Sequence, residues 1–218
     1  MNFAEWEPIY TEILSSFSFS RADDERSAQI LASLTQCDAL HEARTHISSA
    51  EEVIVCGNAP CLLDDWHALF LSHTEIRRRT VIAADGAALQ LHAEGLTPDI
   101  IVTDLDGICH AKERIFSMNQ NKTILVIHAH GDNIAQIQSF VPLCPGPIIC
   151  TTQSQPFSHV HNFGGFSDGD RAVFFAHALG AKKVTLCGFD LDDEEVDPVK
   201  RKKLIWARRL LGMLGYSV

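Results

Sequence analysis

Residues 80–107 read TVIAADGAALQLHAEGLTPDIIVTDLDG, and their pattern decides the fold. Thr80 to Ala84 and Ile100 to Thr103 are short, continuous apolar runs, as expected of strands covered on both faces. Between them the sequence predicts a helix over Ala87 to Glu94, and Thr97-Pro98-Asp99 reads as the turn into the second strand. Both runs end in acid, at Asp85-Gly86-Ala87 and at Asp104-Leu105-Asp106-Gly107. A third acidic end, His128-Ala129-His130-Gly131-Asp132-Asn133, follows the apolar run Thr123 to Ile127. If these strands are parallel neighbours, their C-terminal ends open on one crevice and the carboxylates meet there.

The same rhythm extends outward. Val53 to Cys56 is predicted as a strand, followed by Gly57-Asn58-Ala59-Pro60 and a helix from Leu62. A charged helix over Lys112 to Phe116 separates the second and third acidic ends. Pro147 to Cys150 and Val184 to Cys187 are further strands, with a helix over Asp168 to Leu179 before the latter. Asp197 as cap, Pro198 in the first turn and Gly215 beyond the end frame a C-terminal helix with a stripe of Leu204, Ala207, Leu211 and Leu214. Upstream, Phe3, Trp6, Tyr10, Ile13 and Phe17 recur at helical spacing, and Ser20 with Asp23 can cap a second helix through Ala28, Leu31 and Leu34. Leu40, Ala43 and Ile47 suggest a third. Glycine is absent before Gly57, which marks residues 1–48 as a helical region and residues 49–218 as the α/β catalytic domain. The fold class is α/β: a doubly wound, mostly parallel, Rossmann-like sheet with an N-terminal helical region.

Bulk properties narrow the function. A chain of 218 residues with 46% hydrophobic and 21% charged residues has a proper core to bury. A formal net charge of -10 argues against nucleic acid or an anionic membrane as partner, though a nucleotide fits a locally favourable pocket. The seven cysteines form no C-x-x-C pair; with no signal-peptide pattern, this places the protein in a reducing cytoplasm. No apolar stretch is long enough to span a bilayer. The N-terminal helices could pack on the sheet or form a homodimer interface.

The acidic ends carry the chemistry. Clustered carboxylates repel one another unless a cation sits among them, and oxygen donors suit Mg²⁺ with phosphate as a further ligand. In an extended segment Asp104 and Asp106 point the same way, so both face one space; the plain alternative is a solvated loop with capping aspartates. Asp85 opens a helix, where it can cap and where free amides can hold an anion; Gly86 allows close approach. The metal candidates are therefore Asp85, Asp104, Asp106 and Asp132. His130 is a candidate for contacting phosphate or moving a proton, with a structural role for the other histidine, His128. Gly57 and Asn58, in the loop after the first strand, and Gly131 and Asn133 are candidates for holding the nucleotide. In Asn162-Phe163-Gly164-Gly165-Phe166-Ser167-Asp168-Gly169-Asp170-Arg171, Phe166 could stack on a flat ring and Asp168 or Asp170 accept its N–H groups; Gly165, Ser167 and Arg171 complete that loop. The same segment is also readable as a capped helix start, with Ser167 and Asp170 as the box. Asp190, in Gly188-Phe189-Asp190, is a site residue or a turn cap. The basic run Lys200 to Lys203, with Arg208 and Arg209, is solvated surface or a polyphosphate contact.

In their order along the chain, these motifs resemble those of the archaeal-type 6-hydroxymethyl-7,8-dihydropterin diphosphokinases, from about Val53 to the C-terminus. The Asp-Gly-Ala and Pro-Asp-x-x-x-x-Asp-x-Asp segments are also similar to thiamine diphosphokinase, which lacks the His-x-His-Gly-Asp-Asn form. The first glycine loop departs from the family's more usual Gly-x-Gly-Pro-Ser, with Ala59-Pro60-Cys61 here. The resemblance implies Mg²⁺-dependent transfer of diphosphate from ATP, the co-substrate, to a pterin alcohol with release of AMP. It also implies an archaeal source and a place in methanopterin or folate-type biosynthesis. Alternatives are thiamine diphosphokinase, a glycosylation-related sugar-transfer domain, whose chains are usually much longer, and a nucleotide-binding module without chemistry.

Overall fold

The computed structural model describes residues 1–72 and 78–217. Among the described residues seven strands form one parallel sheet: β1 Glu52–Cys56, β2 Arg79–Ala84, β3 Ile100–Thr103, β4 Ile124–Ala129, β5 Ile148–Thr152, β6 Val160–His161 and β7 Val184–Cys187. Their order is β6-β5-β4-β3-β2-β1-β7, and every pairing is parallel. The chain winds outward from β1 to β6 and then returns to the far side of β1, so the order reverses between β1 and β7. At such a reversal the loops on either side separate and leave a crevice at the carboxyl ends of the strands.

The helices are α1 Phe3–Phe17, α2 Arg21–Leu34, α3 Leu40–Ser49, α4 Leu62–Ser72, α5 Asp85–Ala93, α6 Lys112–Gln120, α7 Ile134–Phe140, α8 Asp168–Ala178 and α9 Pro198–Met213. One face of the sheet packs against α2, α4, α5, α6 and α7 through residues such as Leu31, Leu62, Leu91, Ile115 and Phe140. The other face is covered by α3, α8 and α9 through Ile47, Phe175 and Leu211. Burial on both faces explains the unbroken apolar strands: β1, β3 and β4 are buried at every position. Helix α1 lies outside this second layer, its Trp6, Tyr10 and Ile13 packed with Phe174 of α8 and Trp206 and Leu210 of α9. The first three helices therefore contribute to all three hydrophobic clusters.

The element readings hold with shifts at the ends. Helix α5 begins at Asp85 itself, two residues earlier than predicted, and β4 runs on through His128 and Ala129. Helix α6 extends to Gln120, beyond the charged stretch that announced it. Helix α7 and the two-residue strand β6 were not anticipated; both are too short for periodicity to register. Ser20 caps α2 by accepting the Asp23 amide, as predicted. Asp197 caps α9 by accepting the amides of Val199 and Lys200 at 2.8 and 3.0 Å. Among the described residues no helix is long and apolar enough to cross a membrane.

Candidate active site

Three segments bring carboxylates together over the middle of the sheet. Asp85 stands at the end of β2, Asp104 just past β3 and Asp168 at the first turn of α8. Oxygen atoms of the three lie within 4.8 Å of one another. Asp85 is fixed by the amide of Gly107, which donates to its Oδ2 at 3.0 Å, and by the amide of Gly86. A Cβ at Gly107 would fall 2.6 Å from that same oxygen, so only glycine lets the β3 loop close on Asp85. Burial and the neighbouring Asp104 hold the Asp85 carboxyl above its ordinary range. Asp168 is pushed well up by burial and then by Asp104 and Asp85, although the Arg171 guanidinium donates to it at 3.2 Å.

Asp104 and Asp106 converge for a reason other than strand alternation. Strand β3 stops at Thr103, Leu105 takes a left-handed φ of 75°, and the Asp106 amide donates to Asp104 Oδ1 at 3.1 Å. Leu105 is fully buried, and its amide donates to Thr103 Oγ1 at 2.7 Å, which holds the turn in place. The two carboxylates thus meet across a tight turn, with His130 as the third member of their group. Burial, then Asp104, raises the Asp106 carboxyl.

The loop after β4 divides into residues that face the cleft and residues that support it. His130 and Asp132 line the cleft; His128 and Asn133 are buried beneath it. Asn133 ties the loop together, donating to the carbonyls of Asp104 at 2.8 Å and His128 at 2.7 Å and accepting from the His130 amide and the Ser27 hydroxyl. The Gly131 amide is spent on Asp24 at 2.8 Å. Gly131 and Asn133, predicted as nucleotide contacts, are thus placed in the loop's internal bonding. His130 Nδ1 accepts the Asp132 amide at 3.3 Å, which puts the ring proton on Nε2, 3.8 Å from Asp104 Oδ2. Burial and Arg171 hold its pKa below the usual value, so the ring is neutral at pH 7. His128 is neutral for the same reasons and contacts Thr151.

The glycine-rich loop before α8 also splits. Asp170 is fully buried and bonds the amides of Phe166 and Ser167 and the Ser167 hydroxyl, completing the capping box. It does not line the cleft, and Gly165 lies against the Arg171 backbone. Phe166, Ser167, Asp168 and Arg171 do line it. Asp168, read from the sequence as a ring contact, stands instead among the carboxylates. Phe166 packs 4.8 Å from Phe17, and Phe19 of the α1–α2 turn joins it on the cleft wall.

The cleft has a volume of about 480 Å³ and runs along the carboxyl ends of the strands from β5 to β7. At the β1–β7 end it is bounded by Gly57-Asn58-Ala59-Pro60 and Gly188-Phe189-Asp190. Asn58 accepts from Gln90 at 2.8 Å, and it is Asn58, packed over Gly86, that occupies the space where a Cβ would lie. Helix α9 forms the outer wall with a stripe of Lys200, Lys203, Leu204 and Ala207. Its other cations are engaged elsewhere: Lys202 on the Ser16 carbonyl, Arg201 with Glu194, Arg208 with Asp192 and Arg209 with Glu12. Gln153, Phe19 and the buried Asp24 behind them carried no motif and were not singled out in the sequence.

Fold and cleft together define an α/β phosphotransferase, with acidic strand ends facing a pair of lysines across one crevice. The chain belongs to the family described as 6-hydroxymethylpterin diphosphokinase MptE-like, whose model matches residues 26–196. A protein of Methanothermobacter thermautotrophicus named 6-hydroxymethyl-7,8-dihydropterin pyrophosphokinase is 42% identical, over 98% of this chain and 95% of the relative. Proteins of the same name from Pyrococcus furiosus and Methanocaldococcus jannaschii are 36% and 34% identical, each over 98% of this chain. The family drawn from the motifs, and the diphosphokinase class with it, is therefore borne out.

Proposed function

We propose that the chain transfers a diphosphoryl group from ATP to the hydroxymethyl oxygen of 6-hydroxymethyl-7,8-dihydropterin, with Mg²⁺, and releases AMP. The observation that carries the reading is the Asp85–Asp104–Asp168 group facing Lys200 and Lys203 across the cleft. Three carboxylates from separate segments, two of them with raised pKa, are short of positive charge, and their all-oxygen character fits a hard cation. Mg²⁺ held there by Asp85, Asp104 and Asp168 would neutralise charge on the phosphates during transfer. His130 fits that set poorly, because its Nε2 carries the proton.

The chain's own residues supply positioning and charge. Lys200 and Lys203 bind phosphate oxygens from the α9 side. The Gly57-Asn58 loop and Asp85 border the nucleotide, with Gly86 covered by the Asn58 side chain. The substrate oxygen attacks the β-phosphorus, the bond from that phosphorus to the α–β bridging oxygen breaks, and AMP departs with the electron pair. The hydroxyl proton passes to a cleft carboxylate, with Asp132 at hand, while His130 donates its Nε2–H to a developing negative charge. Most of the acceleration is then orientation and electrostatics. The α1–α2 turn contributes Phe19 to one wall of this site, while the proposed catalytic groups come from residues 49–218.

The test is AMP release from ATP with the pterin alcohol, with and without Mg²⁺, beside a parallel assay with thiamine. Turnover with the pterin alcohol that collapses on chelation is expected. Faster turnover with thiamine, or full activity in chelator, would overturn the reading.

A further inference from the structure

In the wall at the β5 end of the cleft lies a polar atom that has no partner among the described residues. Gln153 follows β5, is 1% exposed and forms part of the cleft wall. Its main chain is pinned, since its carbonyl accepts from Trp6 Nε1 at 2.9 Å and from Asn162 Nδ2 at 3.0 Å. Its side chain is pinned as well, with Nε2 donating to Asp24 Oδ2 at 2.8 Å. Asp24 is itself buried and also accepts from the Tyr10 hydroxyl at 2.7 Å and the Gly131 amide at 2.8 Å. A carboxylate accepts and does not donate, so the Gln153 amide has one orientation: nitrogen to Asp24, oxygen away. That oxygen, Oε1, is buried and unpaired. A buried acceptor left empty carries a desolvation penalty, which a ligand donor relieves on binding. Phe19 and Phe166 flank the same wall with flat apolar surface.

We infer that Gln153 is the specificity-determining residue for the ring, its Oε1 accepting a hydrogen bond from the amide N–H edge of a flat heterocycle held beside Phe19 and Phe166. This deepens the proposed function and rests on it. The placement is consistent with the sheet: β5 lies two strands from β3, roughly 10 Å at the usual spacing, so a bicyclic ring at Gln153 reaches Asp104 with its hydroxymethyl arm. A ring without an N–H on that edge leaves Oε1 unpaired and is selected against.

The experiment compares the pterin alcohol with its analogue methylated at the ring amide nitrogen, on wild-type protein and on Gln153→Met, which keeps the volume and removes the acceptor. Wild-type kcat/KM should favour the parent by about tenfold or more, from the one hydrogen bond. In Gln153→Met the KM for the parent should rise by about the same factor, the KM for ATP should stay within about twofold, and the preference over the analogue should shrink toward one. A merely structural role would lower both substrates together and keep the ratio. Gln153→Asn, whose shorter amide withdraws the oxygen, replaces the Met variant if that variant does not fold. An undiminished preference in the variant, or none in wild type, overturns the inference. Absence of AMP release by wild type with the parent alcohol overturns the underlying function instead.

Discussion

Asp24 and the Asp85–Asp104–Asp168 group are both carboxylate sites largely withdrawn from water, a short loop apart, and the chain finishes them in opposite ways. Asp24 receives three donors from three elements: Tyr10 of α1, Gly131 after β4 and Gln153 after β5. Asp170, also buried, is likewise supplied by its own helix start. At the strand ends, by contrast, three carboxylates face one another, and the protein offers them little beyond the Gly86, Asp106 and Gly107 amides and Arg171. Charge that the chain satisfies holds structure together; charge that it leaves unsatisfied is available to a ligand.

The sharpest break of this contrast is Asp104→Asn. Asp104 belongs to both acidic groups, so the change removes one ligand and half of the tight turn's charge. Turnover should fall on the order of 10³-fold, the scale of losing metal stabilisation of a transferring phosphoryl group, and added Mg²⁺ should no longer raise the Tm. Steady-state kinetics and a thermal scan with and without the ion check both, and near-wild-type turnover would remove Asp104 from the metal set.

The converse is Asp24→Ala. It touches no proposed catalytic group, yet it strips a common acceptor from the Tyr10 hydroxyl, the Gly131 amide and Gln153. Three buried donors left unpaired should cost about 3–5 kcal/mol, or roughly 10 °C in Tm for a chain of this size. A loss under about 1 kcal/mol in denaturant unfolding would mean that water or rearrangement serves this hub equally well.

Lys203→Ala and Lys200→Ala act between these extremes. Among the described residues neither lysine has a carboxylate within bridging distance, whereas every other cation of α9 has a partner. Each change should raise the KM for ATP by about tenfold, the worth of one charge-assisted contact, and leave the KM for the ring alcohol unchanged. Arg208→Ala on the same helix, engaged by Asp192, is the control and should leave both constants alone.

The contrast also explains how far the sequence could be read. Continuous apolar strands ending in Asp announce a doubly wound sheet because burial on both faces suppresses alternation, and the strand ends place Asp85 and Asp104 in one crevice by topology alone. What separates Asp168 from Asp170 is which way one helical turn faces, and both fit a capping pattern. Asp106 reaches Asp104 through a left-handed Leu105 that no residue preference announces. Lys200 and Lys203 differ from their neighbours only by what the neighbours bind. Gln153 and Asp24 are separated by 129 residues and belong to no motif, so their pairing exists only once α2 has docked against β5.

The smallest effect is the most discriminating, and it comes from Asp168→Asn. Burial is the main cost of ionising Asp168, and repulsion from Asp104 and Asp85 adds to it against the attraction of Arg171. Removing the charge therefore relieves the folded protein at neutral pH, so the variant should melt above wild type without metal. Arg171 keeps a hydrogen-bond acceptor in the new amide, which limits the loss on that side. In saturating Mg²⁺ the order should invert, because wild type gains the binding energy of an intact ligand set and the variant does not. Crossed melting temperatures, with the variant higher without the ion and lower with it, are expected from differential scanning calorimetry. Asp170→Asn, which would turn an amide nitrogen toward the donors of its own capping box, should instead be lower under both conditions. If Asp168→Asn behaves like Asp170→Asn, the two aspartates are of one kind and Asp168 belongs to the scaffold.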